Sequence, residues 1–303
     1  MKSINEQAKN TVNLVGKVVD ATFRSGNTKL NQPYESCTLT IRVTQEYHGR
    51  EETSDIQVSD FVTKFTKQNK PNPFYESFQS LKDLKTIQTH GEGEADTVSV
   101  GRMCSISENN FVSRNGQLIH GWSLNTRTIT RAKAQEVGTF DLDIFIFDMH
   151  DEMNREGEPT GRFIVKGGLV QYGGSIDVLE FVWEEPDEIN YVQRNWNIND
   201  TVNIRGRIRV TSEETKATHS GGWGEDIPET TTRMVRELVA CTGSEGAFEE
   251  DFAYDPAEIK RAMNERKARL EQLQVDAQQK AKSAPKTEAA AAPAPSSKRY
   301  DWE

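Results

Sequence analysis

One order of elements, met twice along the chain, does most to restrict what this sequence can fold into. From Thr11 the chain reads as runs in which β-branched and aromatic residues alternate with polar ones, separated by turn residues, the signature of half-buried strands. The first set is Thr11 to Arg24, Tyr34 to Tyr47 and Thr53 to Phe61. A stretch from Pro73 to Ile87 follows, in which Phe74, Phe78, Leu81, Leu84 and Ile87 recur at helical spacing and predict one amphipathic helix. Two more strands, Thr97 to Ser107 and Gln117 to Arg131, complete it. The second set repeats the order: strands Gly138 to His150, Gly161 to Val170 and Ser175 to Trp183, a short helix Pro186 to Trp196, then strands Asp200 to Glu214 and Glu229 to Cys241. Asp96-Thr97-Val98 running to Gly101-Arg102 resembles Asp200-Thr201-Val202 running to Gly206-Arg207 once one residue is inserted, and a single inserted residue in a strand is how a bulge reads.

Five strands with a helix between the third and fourth is the layout of the OB-fold, a Greek-key barrel whose groove binds oligonucleotides. Over about residues 10–244 the chain resembles bacteriophage-encoded single-stranded DNA-binding proteins with tandem OB-folds. The expected architecture is therefore mainly β. Two consecutive five-stranded OB-like barrels, residues 10–135 and 136–244, are followed by an acidic connector and exposed helix over 245–282. A low-complexity, disordered tail over 283–303 ends in an aromatic and acidic tip. Asp255-Pro256 reads as the N-cap and first residue of that helix, with Ile259, Met263, Leu270 and Leu273 as a thin apolar stripe. The Ala/Pro-rich segment Ser283 to Lys298 cannot bury enough surface to fold.

Charge decides which barrel a polyanion would meet. The net charge of −10 is unevenly spread: 17 Lys+Arg against 14 Asp+Glu in residues 1–135, 10 against 21 in 136–244, and 10 against 12 beyond. The first barrel is thus mildly basic and the second strongly acidic. Single-strand binders need cations along the backbone path and aromatic faces for bases, each stack contributing about 1–3 kcal/mol. In the first barrel Arg24, Arg42, Tyr47, Arg50, Phe61, Phe65, Lys67, Arg102, Arg114, Trp122 and Arg127 supply both kinds of residue. A competing reading packs Phe61 and Phe65 under the helix and leaves the lysines solvated. Trp122, after Gly121 in a polar strand, is the stronger stacking candidate, with a core position as its alternative.

In the second barrel Arg205, Arg207 and Arg209 alternate with Gly206, Ile208 and Val210, so all three arginines share one strand face. Such a stripe either contacts phosphates or pairs with surplus acids such as Asp141, Asp143 and Glu180, and the acidic balance favours pairing. Trp223, among glycines between the last two strands, falls where an OB-fold presents a binding loop.

Other chemistries find little support. Cys37, Cys104 and Cys241 are far apart, without a CxxC or a histidine pair, and read as buried thiols. Asp148, His150, Asp151 and Glu152 abut a turn and read as solvated charges in preference to a metal site. No phosphate-wrapping, nucleophile-elbow or zinc-protease motif occurs, so no enzyme and no cofactor are expected. No apolar run reaches the roughly 18 residues of a membrane span, and the N-terminus lacks the pattern of a secretory signal, which points to the cytoplasm. The resemblance implies single-stranded DNA as ligand in replication or recombination, and partner proteins recruited by the tip Tyr300, Asp301, Trp302 and Glu303. That tip has fewer acids than the bacterial pattern and follows a basic Lys298-Arg299. Two rivals stand: RNA as the ligand, and a structural or adaptor protein whose barrels bind protein.

Overall fold

The computed structural model describes residues 1–283 except 102, 114 and 220–226. Three long antiparallel strands, β1 (Asn10–Asn27), β2 (Pro33–Tyr47) and β3 (Arg50–Thr63), open the first barrel. After them come α1 (Pro73–Gln79), a 3₁₀ turn at Ser80–Asp83 and α2 (Ile87–His90). Short strands β4 (Thr97–Val100), β5 (Ser105–Glu108), β6 (Phe111–Val112), β7 (Leu118–Ile119), β8 (Trp122–Thr126) and β9 (Ile129–Arg131) complete it. The second barrel is made of β10 (Val137–Met153), β11 (Pro159–Val170), β12 (Ile176–Trp183), α3 (Pro186–Asn195), β13 (Thr201–His219) and β14 (Ile227–Gly243). Helix α4 (Pro256–Ser283) follows.

Both barrels close in the same way. In the first, β3 runs parallel to β8 with Val58 opposite Leu124; in the second, β12 runs parallel to β14 with Phe181 opposite Leu238. The remaining pairings are antiparallel, and the expected order of strands and helix holds in each half. Strand β1 joins the halves by pairing its N-terminal part with β10, from Asn10 opposite Leu142 to Val15 opposite Val137. The buried apolar side chains of both barrels consequently form one continuous cluster, from Leu14, Leu39 and Ile56 to Leu142, Phe181 and Leu238.

The structure differs from the sequence expectation at four places. The single helix expected over 73–87 is broken, because Leu84 turns extended (φ −66°, ψ 130°) and Thr86 caps a new turn with its hydroxyl on the Thr89 amide. Phe78, Leu81 and Leu84 are buried as expected, whereas Phe74 is exposed. The strand expected over 97–107 splits into β4 and β5 at Gly101, where the backbone comes so near β9 that a Cβ would stand 2.4 Å from Thr128 Oγ1, and the one expected over 117–131 is divided into β7, β8 and β9. At the matching site of the second barrel β13 stays in register with β10, and the residue left unpaired is Cys241 of β14, between the partners of Arg205 and Gly206, so the bulge lies on the neighbouring strand and not in the one the repeat implied.

The fourth difference concerns the C-terminal helix. Asp255 caps it through a 2.8 Å bond to the Ala257 amide, but its first half is docked and not merely exposed. Ile259 and Ala262 are buried, and Met263 packs on the core cluster. Arg266 reaches Glu108 of β5 through Nε at 2.8 Å, with both side chains largely sequestered. The connector before it is anchored too: Tyr254 is buried and its hydroxyl donates to the Glu6 carbonyl at 2.8 Å.

Candidate nucleic-acid interface

Strand alternation sets which side chains of the first barrel face outward. On β3, Ile56, Val58, Asp60 and Val62 are buried, so Asp55, Gln57, Ser59 and Phe61 point the other way. The register then aligns outward residues into rows. Arg24 of β1 is opposite Ser36 of β2, and Ser36 is opposite Phe61 of β3; Arg127, one residue beyond the Thr126 partner of Asp60, continues the row past β8. A second row of short polar side chains, Thr22, Thr38, Ser59 and Asn125, runs alongside.

Phe61 is the conspicuous member, with 54% of its surface exposed although it is a large apolar side chain on a sheet. Its ring lies 5.0 Å from that of Tyr34, tilted by 32°, which steadies it without covering it. Beside it opens a groove of about 510 Å³ whose walls include Lys67, Phe74 and Arg127, with Asp60 at its inner end. The groove exists because Asn72 ties the loop after β3 to the barrel: its side chain donates to the Thr63 carbonyl at 2.9 Å and accepts from the Phe74 amide at 3.1 Å, starting α1.

Asp60 gives the groove its unusual electrostatics. It is 4% exposed, and burial pushes its carboxyl up to about 6, a shift that the Phe61 amide and the Arg127 guanidinium only partly offset. Arg24, Lys67 and Arg127 are exposed. A face with cations at both ends of a bare aromatic ring and a carboxyl beneath can hold a stacked base and the phosphates flanking it.

The other residues singled out from the sequence are placed differently. Arg50 is exposed near the β2–β3 turn. Arg42 is held by Asp55 in a two-pronged pair at 2.8 and 2.9 Å. Phe65 is half-buried, with the Lys64 ammonium 5.9 Å from its ring centre. Trp122 is half-buried against the core, and the Arg236 guanidinium of β14 lies 4.2 Å from its ring centre, so part of its stacking surface is taken. Burial pushes the pKa of Arg236 below its ordinary value. Arg102, Arg114, Trp223, Tyr300, Asp301, Trp302 and Glu303 lie outside the described residues.

The arginine stripe of β13 is turned inward onto the other barrel. Arg205 remains 57% exposed and meets Asp141 at 3.3 Å. Arg207 is only 4% exposed, so a phosphate role for it is corrected: Glu52 of the first barrel holds it at 2.8 Å, Glu184 at 3.1 Å, and its guanidinium lies 3.5 Å from the centre of the Tyr47 ring. Tyr47, covered in this way, offers that face to no base. Arg209 binds Glu184 at 2.5 Å and Glu237 at 2.6 Å, and Arg162 also reaches Glu237. Burial raises the carboxyls of Glu184 and Glu237, but the surrounding guanidinium groups outweigh it and hold both below the usual carboxylate range. Acids do pair with the stripe, then, but Glu52, Glu184 and Glu237 matter more than the expected Asp143 and Glu180. Asp143 accepts from Asn203 and Glu180 pairs with Lys166.

Phe74 and Tyr34 were not among the expected contacts, and Phe61 was expected either there or under the helix. The signal for Phe61 was present, since alternation with Ile56, Val58 and Val62 sends it outward. The thiols of Cys37 and Cys104 are buried, which pushes each up to about 12, while Cys241 is half-buried. Asp148 meets His150 at 3.0 Å, and no group of three potential metal ligands occurs among the described residues. No helix among them is long and apolar enough to cross a membrane.

Comparison with known proteins bears on this fold. The structure is similar to the wild-type single-stranded DNA binding protein of Thermus aquaticus, with a TM-score of 0.52 at 11% identity over 80% of this chain and 96% of that one. A deletion mutant of the same protein superposes with a TM-score of 0.50 at 14% identity, over 82% of this chain and 98% of the other. At such identities the likeness establishes the tandem OB-like fold. No curated protein matches the sequence. Residues 9–276 match the model of the YorF family, which spans both barrels and most of α4, and the chain belongs to that family.

Proposed function

We propose that this protein binds single-stranded DNA without catalysing a reaction, chiefly through the outer face of the first barrel. The observation that carries the reading is the row Arg24, Ser36, Phe61 and Arg127, in which an exposed aromatic ring stands between cations over a groove lined by Lys67 and Phe74. The likeness of fold to a bacterial single-stranded DNA binding protein supports the choice of ligand. In this reading residues 10–135 form the main binding domain and residues 136–244 brace it, with Trp223 as a further stacking residue. Arg102 and Arg114 supply further cations to the DNA. The protein acts in phage-like DNA replication or recombination in the host cytoplasm. The aromatic and acidic tip Tyr300 to Glu303 recruits the partner proteins.

The test is a fluorescence-anisotropy titration of a labelled dT oligonucleotide at low and high salt, with duplex DNA and an RNA homologue as controls. Intrinsic tryptophan emission would carry a background from Trp183 and Trp196, which are buried, and from Trp122, which is partly covered by Arg236, so an external label reads binding more directly. Single-strand binding that weakens steeply with salt is the expected result. Preference for the RNA would transfer the reading to RNA. Failure to bind any of the three would leave the protein-binding adaptor as the surviving function.

A further inference from the structure

Inside the first barrel, directly behind the row that carries Phe61, a second row runs across the same strands: Phe23, Cys37, Asp60 and Thr126 are cross-strand partners. Its members suit an interior except one. Phe23 packs edge-on to the buried Phe78, with ring centres 6.1 Å apart, and Cys37 and Thr126 are buried small groups. Asp60 places a carboxyl where an apolar residue would continue the pattern of Ile56, Val58 and Val62, and it does so at the inner end of the groove. The neighbouring strand does nothing to neutralise it, because Cys37 is an un-ionised thiol and Thr126 spends its hydroxyl on the Thr128 carbonyl at 3.2 Å. The charge that faces it is Arg127, beyond β8, while Lys67, on the loop leading to α1, lines the same groove. A buried carboxyl whose hydrogen-bond partner is only the next backbone amide, that of Phe61, is unfavourable for the fold, which makes a role at the groove the better account of it.

We propose that Asp60 is the selectivity residue of the Phe61–Arg127 groove, admitting a base and turning phosphate away from the groove's inner end. This inference rests on the single-strand-binding reading above and adds to it a division of labour within one site. Without Asp60 the groove would be a plain cationic pocket, in which Lys67 and Arg127 would draw in phosphate and leave Phe61 with nothing to stack on. A carboxylate beneath them repels the phosphodiester but is indifferent to a neutral base, so the backbone stays at the rim with Arg24 and the base enters against Phe61. Protonation of Asp60 abolishes the repulsion, and because burial lifts that carboxyl to about 6, mild acid should relax the selectivity.

The experiment compares a dT oligonucleotide with an abasic oligonucleotide of the same length, titrated against the full chain and against Asp60→Asn at pH 7.5 and pH 5. The wild-type protein at pH 7.5 should prefer dT strongly. Asp60→Asn should gain affinity for the abasic strand by about fivefold, the factor expected for one unit-charge interaction across about 4 Å of water, with a much smaller gain for dT. The wild-type protein at pH 5 should behave like the variant, and the variant's preference should not change with pH. The wild-type acid arm tests the idea even if the variant folds poorly. An unchanged preference in both arms, or an equal gain for both strands, overturns the selectivity role while leaving single-strand binding intact. Binding of neither strand by the wild-type protein removes the binding function and, with it, this inference.

Discussion

Two sets of arginines, one in each barrel, have opposite fates in this molecule. In the first barrel Arg24 and Arg127 stand exposed at the ends of a row with Phe61 between them. In the second, Arg207 and Arg209 share a strand face as regular as any nucleic-acid interface, yet they are 4% and 17% exposed and enclosed by Glu52, Glu184 and Glu237. Alternation fixes the face a side chain takes, but what covers that face is decided by the rest of the chain. Here the cover is the first barrel itself, whose β3 brings Glu52 to Arg207 and the Ser54 hydroxyl to the Val210 amide at 3.1 Å. The acidic excess of the second barrel thereby becomes part of the joint between the halves.

The comparison is broken most directly at Arg207. If its stripe is structural, Arg207→Ala should leave Glu52 with only the more distant Arg209, at 3.9 Å, and take one of the guanidinium partners of Glu184 away, destabilising the protein by about 3 kcal/mol, the lower end for a broken buried ion pair. Arg207→Met, which keeps the volume, should lose less. Urea denaturation of both variants checks this, and a binding defect in Arg207→Ala without any loss of stability would restore the arginine to the ligand.

Asp60 predicts a change of the opposite sign. Its carboxyl is near 3.8 when free and about 6 in the fold, so the native state holds the proton more tightly than the unfolded chain does. Wild-type stability therefore declines through this group as pH rises from about 4 to about 6, and above that range the penalty is complete, at roughly 2–3 kcal/mol. Asp60→Asn should be more stable than the wild-type protein by up to that amount at pH 7.5, with the difference fading towards pH 4. Parallel denaturant titrations at the two pH values measure it.

Much of this architecture was legible in the sequence, because period-two alternation and turn residues are local properties. The strand order of both halves, α3, and the capping of α4 by Asp255 all follow from residues a few positions apart. What escaped depends on contacts distant in sequence. Arg207 and Glu52 are 155 residues apart, and Arg266 and Glu108 are 158 apart. Nothing near Trp122 announces that Arg236 will lie over it. Phe61 is a different case: its outward phase was readable, but a phenylalanine before an amphipathic segment also fits a place beneath the helix, so the sequence left both open. The inward phase of Asp60, a charged residue in an apolar register, was the stronger clue to the site.

Phe61 sharpens the comparison on the binding side. Because its ring is 54% exposed and rests mainly on Tyr34, Phe61→Ala should change stability little, yet weaken oligonucleotide affinity by the about 1–3 kcal/mol of one base stack. An equal loss of stability would make it a packing residue after all.

The smallest effect separates the two arginine sets most cleanly, because it reads charge at the ligand and is insensitive to the fold. Each phosphate neutralised on a single strand contributes about 0.7 to the slope of log affinity against log salt. Arg127→Ala should therefore lower that slope by about 0.7 with a modest loss of affinity, and Arg24→Ala should do the same. Arg205→Ala supplies the contrast, being exposed but already set against Asp141 at 3.3 Å, and its slope should remain close to that of the wild-type protein. A full step in slope from Arg205→Ala would extend the DNA path onto the second barrel, and no step from Arg127→Ala would take the path off the first.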